Sequence, residues 1–376
     1  MAVEHFEVRK QFERGVVILS LDTEQIWGYL DLLSDEEFDR RYPGALEAHT
    51  KLLACIAGAG LSATWFVVGG MALCGGAGLT DRRMAGLPIE WTTRIPGGVE
   101  TTSPLWYRRS FVQRLQRMLP VQEVGLHGGL THFIWTDPRA ERHVVEWELA
   151  EGVQALEEAL VSPLSFSFGR EQEAYHDLLP EYGIRCFRGR TVARSFQLGP
   201  TLRGKLARLL DELRCSTPLP VWPQEILPGL WNIPSSLFLY SIRKSRMRVA
   251  GLHSRIERFK RGVAAAASHR GIFHFCLHPE NLTESPGGFS MFEDMLEHLT
   301  RVRDRGDVEV LTMGQVAARM ERGRERTAPC PVREMPRRSL TGVRTGAIER
   351  NFERRRSRNA IADGTFLAGF ERHIYD

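Results

Sequence analysis

The chain has 376 residues, 43% of them hydrophobic and 26% charged, which suits one large α/β domain or two ordinary ones and excludes a wholly disordered or fibrous protein. Fifty Lys and Arg against 46 Asp and Glu leave a net charge of +4, which by itself is no argument for nucleic acid. The excess sits in one place: residues 322–376 hold 13 Arg against seven acidic residues, so the first 321 residues are close to neutral.

The six Cys residues show no CxxC pair and no regular spacing, which argues against a zinc knuckle or a disulfide framework. The first ten residues carry charge where a signal peptide would be apolar, and no apolar run approaches 18 residues. The expectation is a soluble, cytoplasmic protein with no membrane span.

Val16–Leu21 is a continuous apolar run of strand length, as expected of a strand buried on both faces. A helical stretch over 45–59 ends at Gly60, and Ala63–Val68 and Glu123–His127 read as the next strands. Asp137-Pro138 reads as the N-cap and first residue of a helix that runs to about Leu160, with Glu141 in an acidic first turn. Strands follow at Ser165–Phe168 and Ile184–Phe187, with a helix over Glu171–Glu181 between them. After a looser stretch holding Pro218, Pro220, Pro223 and Pro228, a basic helix covers 248–268. Ile272–Leu277 and Val308–Leu311 are strands, with helices at Ser290–Arg305 and Met313–Arg322. Repeated β-then-α units predict a parallel sheet, either barrel-like or doubly wound. Two regions are expected: a catalytic-type domain over 1–321 and a basic, partly extended tail over 322–376. The tail reads as a solvated arm or an oligomer-exchange segment, and nucleic acid is not its expected partner.

Three polar clusters fall at the C-terminal ends of these strands, where parallel α/β folds put their sites. In Ser20-Leu21-Asp22-Thr23-Glu24, strand alternation directs Asp22 and Glu24 to one side. Two adjacent carboxylates at a buried strand end are costly without a cation or a shared proton, although Asp22 as a simple cap is the plainer alternative. In His127-Gly128-Gly129-Leu130-Thr131-His132, a Gly-Gly turn can bring two imidazoles to one metal ion. His278, in His278-Pro279-Glu280-Asn281, is a candidate acid or base, and His274 reads as a core histidine. Together the clusters describe a one-metal hydrolytic site.

The order of these motifs resembles the polysaccharide deacetylase (NodB-homology) family over residues 15–320. Residues 20–28, SLDTEQIWG, are similar to a subgroup's first motif S-x-D-x-E-x-x-W-G, and residues 63–69, ATWFVVG, to its second strand. Residues 123–132 resemble the metal motif EIGxHTxSH, residues 165–172 resemble SFxFPRNQ, and residues 273–281 resemble the final His-Pro motif. The resemblance implies an irregular, seven-stranded (β/α) barrel that removes N- or O-acyl groups from sugars with a divalent metal. Zn²⁺ is the first expectation, and Co²⁺, Mn²⁺, Fe²⁺ or Ni²⁺ suit the same ligands. By resemblance Asp22 is the base and His278 the acid, while Arg170 orients the catalytic carboxylate. The metal ligands come from Asp22, Glu24, His127 and His132, with Glu24 the better-placed carboxylate because Thr23 stands where many members carry a second Asp. Trp27 and Trp65 shape the barrel and the pocket wall, and Asn281 contacts substrate.

Three motifs depart from the pattern. Four residues separate His127 from His132 where the family usually has three, Gly169 and Glu171 replace a Pro and an Asn, and Glu280 replaces a His. The reaction implied is hydrolysis of an N-acetyl or N-formyl group on a small or carrier-linked amino sugar. The alternatives are a divergent barrel enzyme acting on another C–N bond, and a binding protein that has lost its metal. The tail would serve any homo-oligomer.

Overall fold

Alternating strands and helices build one sheet around strand β1, and its inward-facing side chains change from apolar to charged along the strand direction. The structure, a computed structural model, describes residues 12–79, 92–132, 135, 140–199, 201–240, 251–284 and 286–327. Asp137, Pro138 and the tail from residue 328 lie outside the described residues.

The strands are β1 (Gly15–Thr23), β2 (Thr64–Val67), β3 (Glu123–His127), β4 (Ser165–Ser167), β5 (Cys186–Arg188), β6 (Gln224–Leu227), β7 (Leu230–Asn232), β8 (Leu237–Leu239), β9 (Ile272–Leu277) and β10 (Val308–Val310). Apart from a single short turn at Arg194–Gln197, the α-helices are α1 (Asp35–Arg41), α2 (Ala45–Gly58), α3 (Arg109–Arg117), α4 (Arg142–Glu158), α5 (Leu202–Leu213), α6 (Gly251–His269), α7 (Gly288–Asp304) and α8 (Met313–Thr327). The sheet order is β6-β7-β5-β4-β3-β2-β1-β9-β8, with β10 paired to the start of β1. All pairings are parallel except β6 with β7.

The segment after β7 joins the two ends of this order. Ile233 N, just past β7, donates to Phe187 O on β5, and Ser236 N donates to His274 O on β9. β7 and β8 thus form the two halves of one stave that curls the sheet into an irregular (β/α) barrel. The expected count of seven strands is exceeded: the described residues form ten. The split stave, the antiparallel edge strand β6 and the short β10 supply the extra three.

Period-two alternation sorts the side chains into two layers. Val16, Ile18, Phe66, Cys186 and Ile272 fill the barrel interior, closed by Met313, Val316 and Met320 of α8. α8 runs on to Thr327, across the boundary expected at residue 321. The opposite faces of β1 and β9 pack Leu19, Leu21, Phe273, Phe275 and Leu277 into the outer, helix-covered core.

The stretch 171–181 differs from expectation. It forms 3₁₀ turns at Gly169–Glu171 and His176–Tyr182, because Pro180 and the left-handed Tyr175 interrupt a regular helix. α4 begins at Arg142, with Glu141 in the N-cap position.

Close approach of α6 to β9 requires a glycine. A Cβ at Gly262 would lie 2.3 Å from Phe273 Cε2. Gly262→Ala should gain up to about 1 kcal/mol of helix propensity but lose about 1–3 kcal/mol to overpacking. A fall in the denaturant midpoint is therefore expected.

Candidate active site

Register brings the candidate residues to one level. Thr23, Val67, Leu126, Phe166 and Phe187 share a rung, so the next residues along these strands include Glu24, His127, Ser167 and Arg188. Leu277 pairs with Leu21, which brings the following residue, His278, beside Asp22. Asp22, Glu24, His127, His132 and His278 are all buried at this end of the barrel.

Two imidazoles converge on one carboxylate oxygen. His127 Nε2 lies 3.1 Å and His132 Nε2 3.0 Å from Glu24 Oε2, with the two rings 4.6 Å apart. His127 Nδ1 donates to Ser167 O at 3.0 Å, which orients the ring with Nε2 toward Glu24. Spacings of 3.0–3.1 Å between ligand atoms match an ion with ligands at about 2.0–2.2 Å. Burial pushes His132 down to about 3, against the pull of Glu24, so the ring is neutral as a metal ligand must be. The donor set therefore fits a divalent metal, with Glu24 rather than Asp22 facing the histidine pair.

The Gly-Gly loop accommodates the extra residue between the histidines. Gly128 has φ +72°, and a Cβ there would meet Thr131 O at 2.7 Å. Gly129 O accepts from Gly69 N, and Leu130 O from Gly70 N, both at 2.8 Å. Glu148 on α4 fixes the far side: its Oε1 accepts from Thr131 N at 2.6 Å and from Thr131 Oγ1 at 2.7 Å. Gly152 on the same helix lets α4 approach, since a Cβ there would lie 2.3 Å from Gly129 C. The loop thus turns back tightly enough to return His132 to the site.

Asp22 and His278 form the second half. Arg188 Nη2 donates to Asp22 Oδ2 at 2.7 Å, and His278 Nε2 is 3.3 Å from the same oxygen. Burial alone would raise the Asp22 carboxyl, but Arg188, with His127 and His278, reverses this and holds it well below the usual carboxylate range. His278 Nδ1 lies 3.3 Å from Glu24 Oε1. Burial opposes a charge on His278, yet Glu24, Asp22 and Glu280 raise it to about 9, so it carries a proton at neutral pH.

Arg188 is steadied in turn. Its Nη1 lies 3.4 Å from Ser20 Oγ, which is 2.9 Å from His274 Nε2, while His274 Nδ1 donates to the carbonyls of Ile233 and Pro234. His274 is thus a buried histidine of the barrel interior, linked to Asp22 only through Ser20 and Arg188.

The guanidinium on Asp22 is that of Arg188, which sequence reasoning did not single out. Arg170 Nη2 instead donates to both oxygens of Asp31, at 2.7 and 2.9 Å, and the residue lines the cavity. Arg170 and Glu171 both hold positive φ, 52° and 55°, a local strain of the kind that concentrates at functional sites. Asn281 lines the cavity, with Nδ2 donating to Leu239 O at 2.9 Å. Trp27 and Trp65 are wholly buried and do not line it; their indole N–H groups donate to Trp106 O and Gln122 Oε1. Besides Arg41 and Glu171, the remaining wall is aromatic, with Tyr29, Tyr42, Phe168, Phe196, Phe238 and Tyr240. Regular spacing does not announce these residues, which come from separate turns, short strands and the proline-rich region.

No protein-family model matches the sequence, and no curated protein matches it. Solved structures do. A protein described as a polysaccharide deacetylase from Mycobacterium smegmatis superposes with a TM-score of 0.51 at 18% identity, covering 86% of this chain and 94% of that one. One so described from Pseudomonas aeruginosa PAO1 gives 0.51 at 11% identity, covering 82% and 91%. The Puue allantoinase gives 0.50 at 10% identity, covering 82% and 90%. The chain therefore has the polysaccharide-deacetylase fold that its motifs resemble. Among the described residues, no helix is long and apolar enough to cross a membrane.

If Glu148 holds the histidine loop in register, Glu148→Ala should weaken Zn²⁺ affinity about ten- to a hundredfold. Calorimetric titration of the variant beside the parent chain checks this.

Proposed function

We propose that the chain is a metal-dependent amidohydrolase that removes an acetyl or formyl group from the nitrogen of an amino sugar or a glycosylated small molecule. The observation that carries this reading is the convergence of Glu24, His127 and His132 on one buried point beside Asp22 and His278. A divalent cation held by Glu24, His127 and His132, with Zn²⁺ first and Co²⁺, Mn²⁺, Fe²⁺ or Ni²⁺ as alternatives, would supply Lewis acidity toward the amide carbonyl.

The remaining chemistry falls to side chains. Asp22 Oδ2 is occupied by Arg188 and His278, while Oδ1 is buried with no partner. Oδ1 is thus the lone pair left to take a proton from attacking water as the new C–O bond forms. Protonated His278 then donates to the amine nitrogen as the C–N bond breaks, and the products are a carboxylate and a free amine. Arg188 keeps Asp22 ionised before the reaction and limits its basicity, so proton transfer depends on positioning more than on a raised pKa. The aromatic wall suits the apolar face of a sugar ring, and Asn281 is a candidate contact to it.

A second reading, hydrolysis of another C–N bond, draws on the allantoinase of the same fold and on Glu280 in the last motif.

Elemental analysis of the purified full chain should find a tightly bound divalent ion that both His127→Ala and His132→Ala lose. Asp22→Asn should keep that ion and lower release of acetate or formate from N-acyl sugars by about 10²–10⁴-fold in kcat. Bound metal without any acyl release favours the second reading. A chain that binds neither Zn²⁺ nor Co²⁺ overturns the hydrolase and leaves a binding protein.

A further inference from the structure

Glu24 has two oxygens, and the metal triad uses one of them. Oε2 faces His127 and His132, whereas Oε1 lies 3.3 Å from His278 Nδ1 on the other side. Glu280 approaches the same ring, its Oε1 3.7 Å from His278 Nδ1. Glu24, His278 and Glu280 form a second group of ligand atoms lying within 4.8 Å of one another, and all three residues are buried.

We propose that Glu24, His278 and Glu280 form a second, weaker divalent-cation site, with Glu24 as a carboxylate bridge between the two ions. The inference rests on the proposed first site, because Glu24 serves both.

Three further observations support it. Glu280 is wholly buried, and its Oε2 has no hydrogen-bond partner, so a carboxylate with a spare oxygen lies against the group. Ligand spacings of 3.3 and 3.7 Å are those spanned by an ion with oxygen and nitrogen ligands at about 2.1–2.4 Å. Asp22 Oδ2 lies 3.3 Å from His278 Nε2, the carboxylate–histidine arrangement that fixes a metal-ligating ring through its other nitrogen.

Charge points the same way. Asp22, Glu24 and Glu280 meet in one buried pocket, where Arg188 engages Asp22. Tyr29 OH donates to Glu280 Oε1 at 3.2 Å, which satisfies that oxygen without neutralising the group. A second cation held by Glu24, His278 and Glu280 would offset that surplus.

Equilibrium dialysis of the full chain against rising Zn²⁺ tests the assignment. The parent chain should bind two ions, one tightly and one weakly. Glu280→Gln, which preserves shape and an acceptor for Tyr29, should bind one ion with unchanged tight affinity. Tyr29→Phe, which removes the hydrogen bond on Oε1, should bind the second ion about threefold more tightly. Thermal melting of each variant confirms that it is folded. Saturation of the parent chain at one ion, two ions in Glu280→Gln, or unchanged or weaker second-site binding in Tyr29→Phe overturns the inference and leaves the first site standing. No ion in any of the proteins overturns both.

Discussion

Everything at the open end of the barrel follows from two carboxylates buried at the end of β1. Asp22 and Glu24 are 2% and 1% exposed, and uncompensated charge at that depth is prohibitively costly. Each is met by polar groups from another strand end: Arg188 from β5 for Asp22, His127 at the end of β3 and His132 in the loop after it for Glu24, and His278 after β9 for both. The need for compensation explains why the polar residues of β1 appear only after four apolar ones, and why His274 and Ser20 form a layer between the apolar plug and the charged end. Burial here is a device for concentrating charge rather than a defect in the core.

The same compensation sets strict demands on the backbone. The histidine loop is held by main-chain hydrogen bonds to Gly69 and Gly70, by Glu148 beneath it, and by Gly152 where α4 crosses. These contacts tie β2, β3 and α4 to one turn. The loop still returns His132 to Glu24 because the chain is turned in a left-handed glycine, Gly128, before it reaches His132.

Much of this was legible in the sequence because strong periodic signals coincide with chemistry. β1, β3 and β9 were visible as apolar runs that end in Asp, Glu or His, and their C-terminal ends are where the site lies. Arg188 was not legible: it ends a three-residue strand, too short to show alternation, and its role depends on a partner 166 residues away. β6, β7 and β8 were hidden for the same reason, being brief and set among prolines. Arg170 drew attention through its motif, but its guanidinium goes to Asp31, a residue with no pattern around it. The stretch 171–181 had helical spacing, yet Pro180 and a left-handed Tyr175 divided it into turns. Local signals identify elements well, while contacts across the barrel depend on closure that no local pattern encodes.

That closure gives the split stave a meaning for assembly. Ser20 and His274 are 254 residues apart in sequence, and Tyr29 and Glu280 are 251 apart, yet both pairs meet inside one ring. The stave from Leu230 to Leu239 is the last link between β5 and β9, so Arg188 can reach Asp22 while His274 steadies the same arginine only once that link is made. A chain with the ring open has the right residues and none of the site. Whatever binds at the charged end therefore binds the closed ring alone, and by mass action it resists every excursion in which the stave lets go.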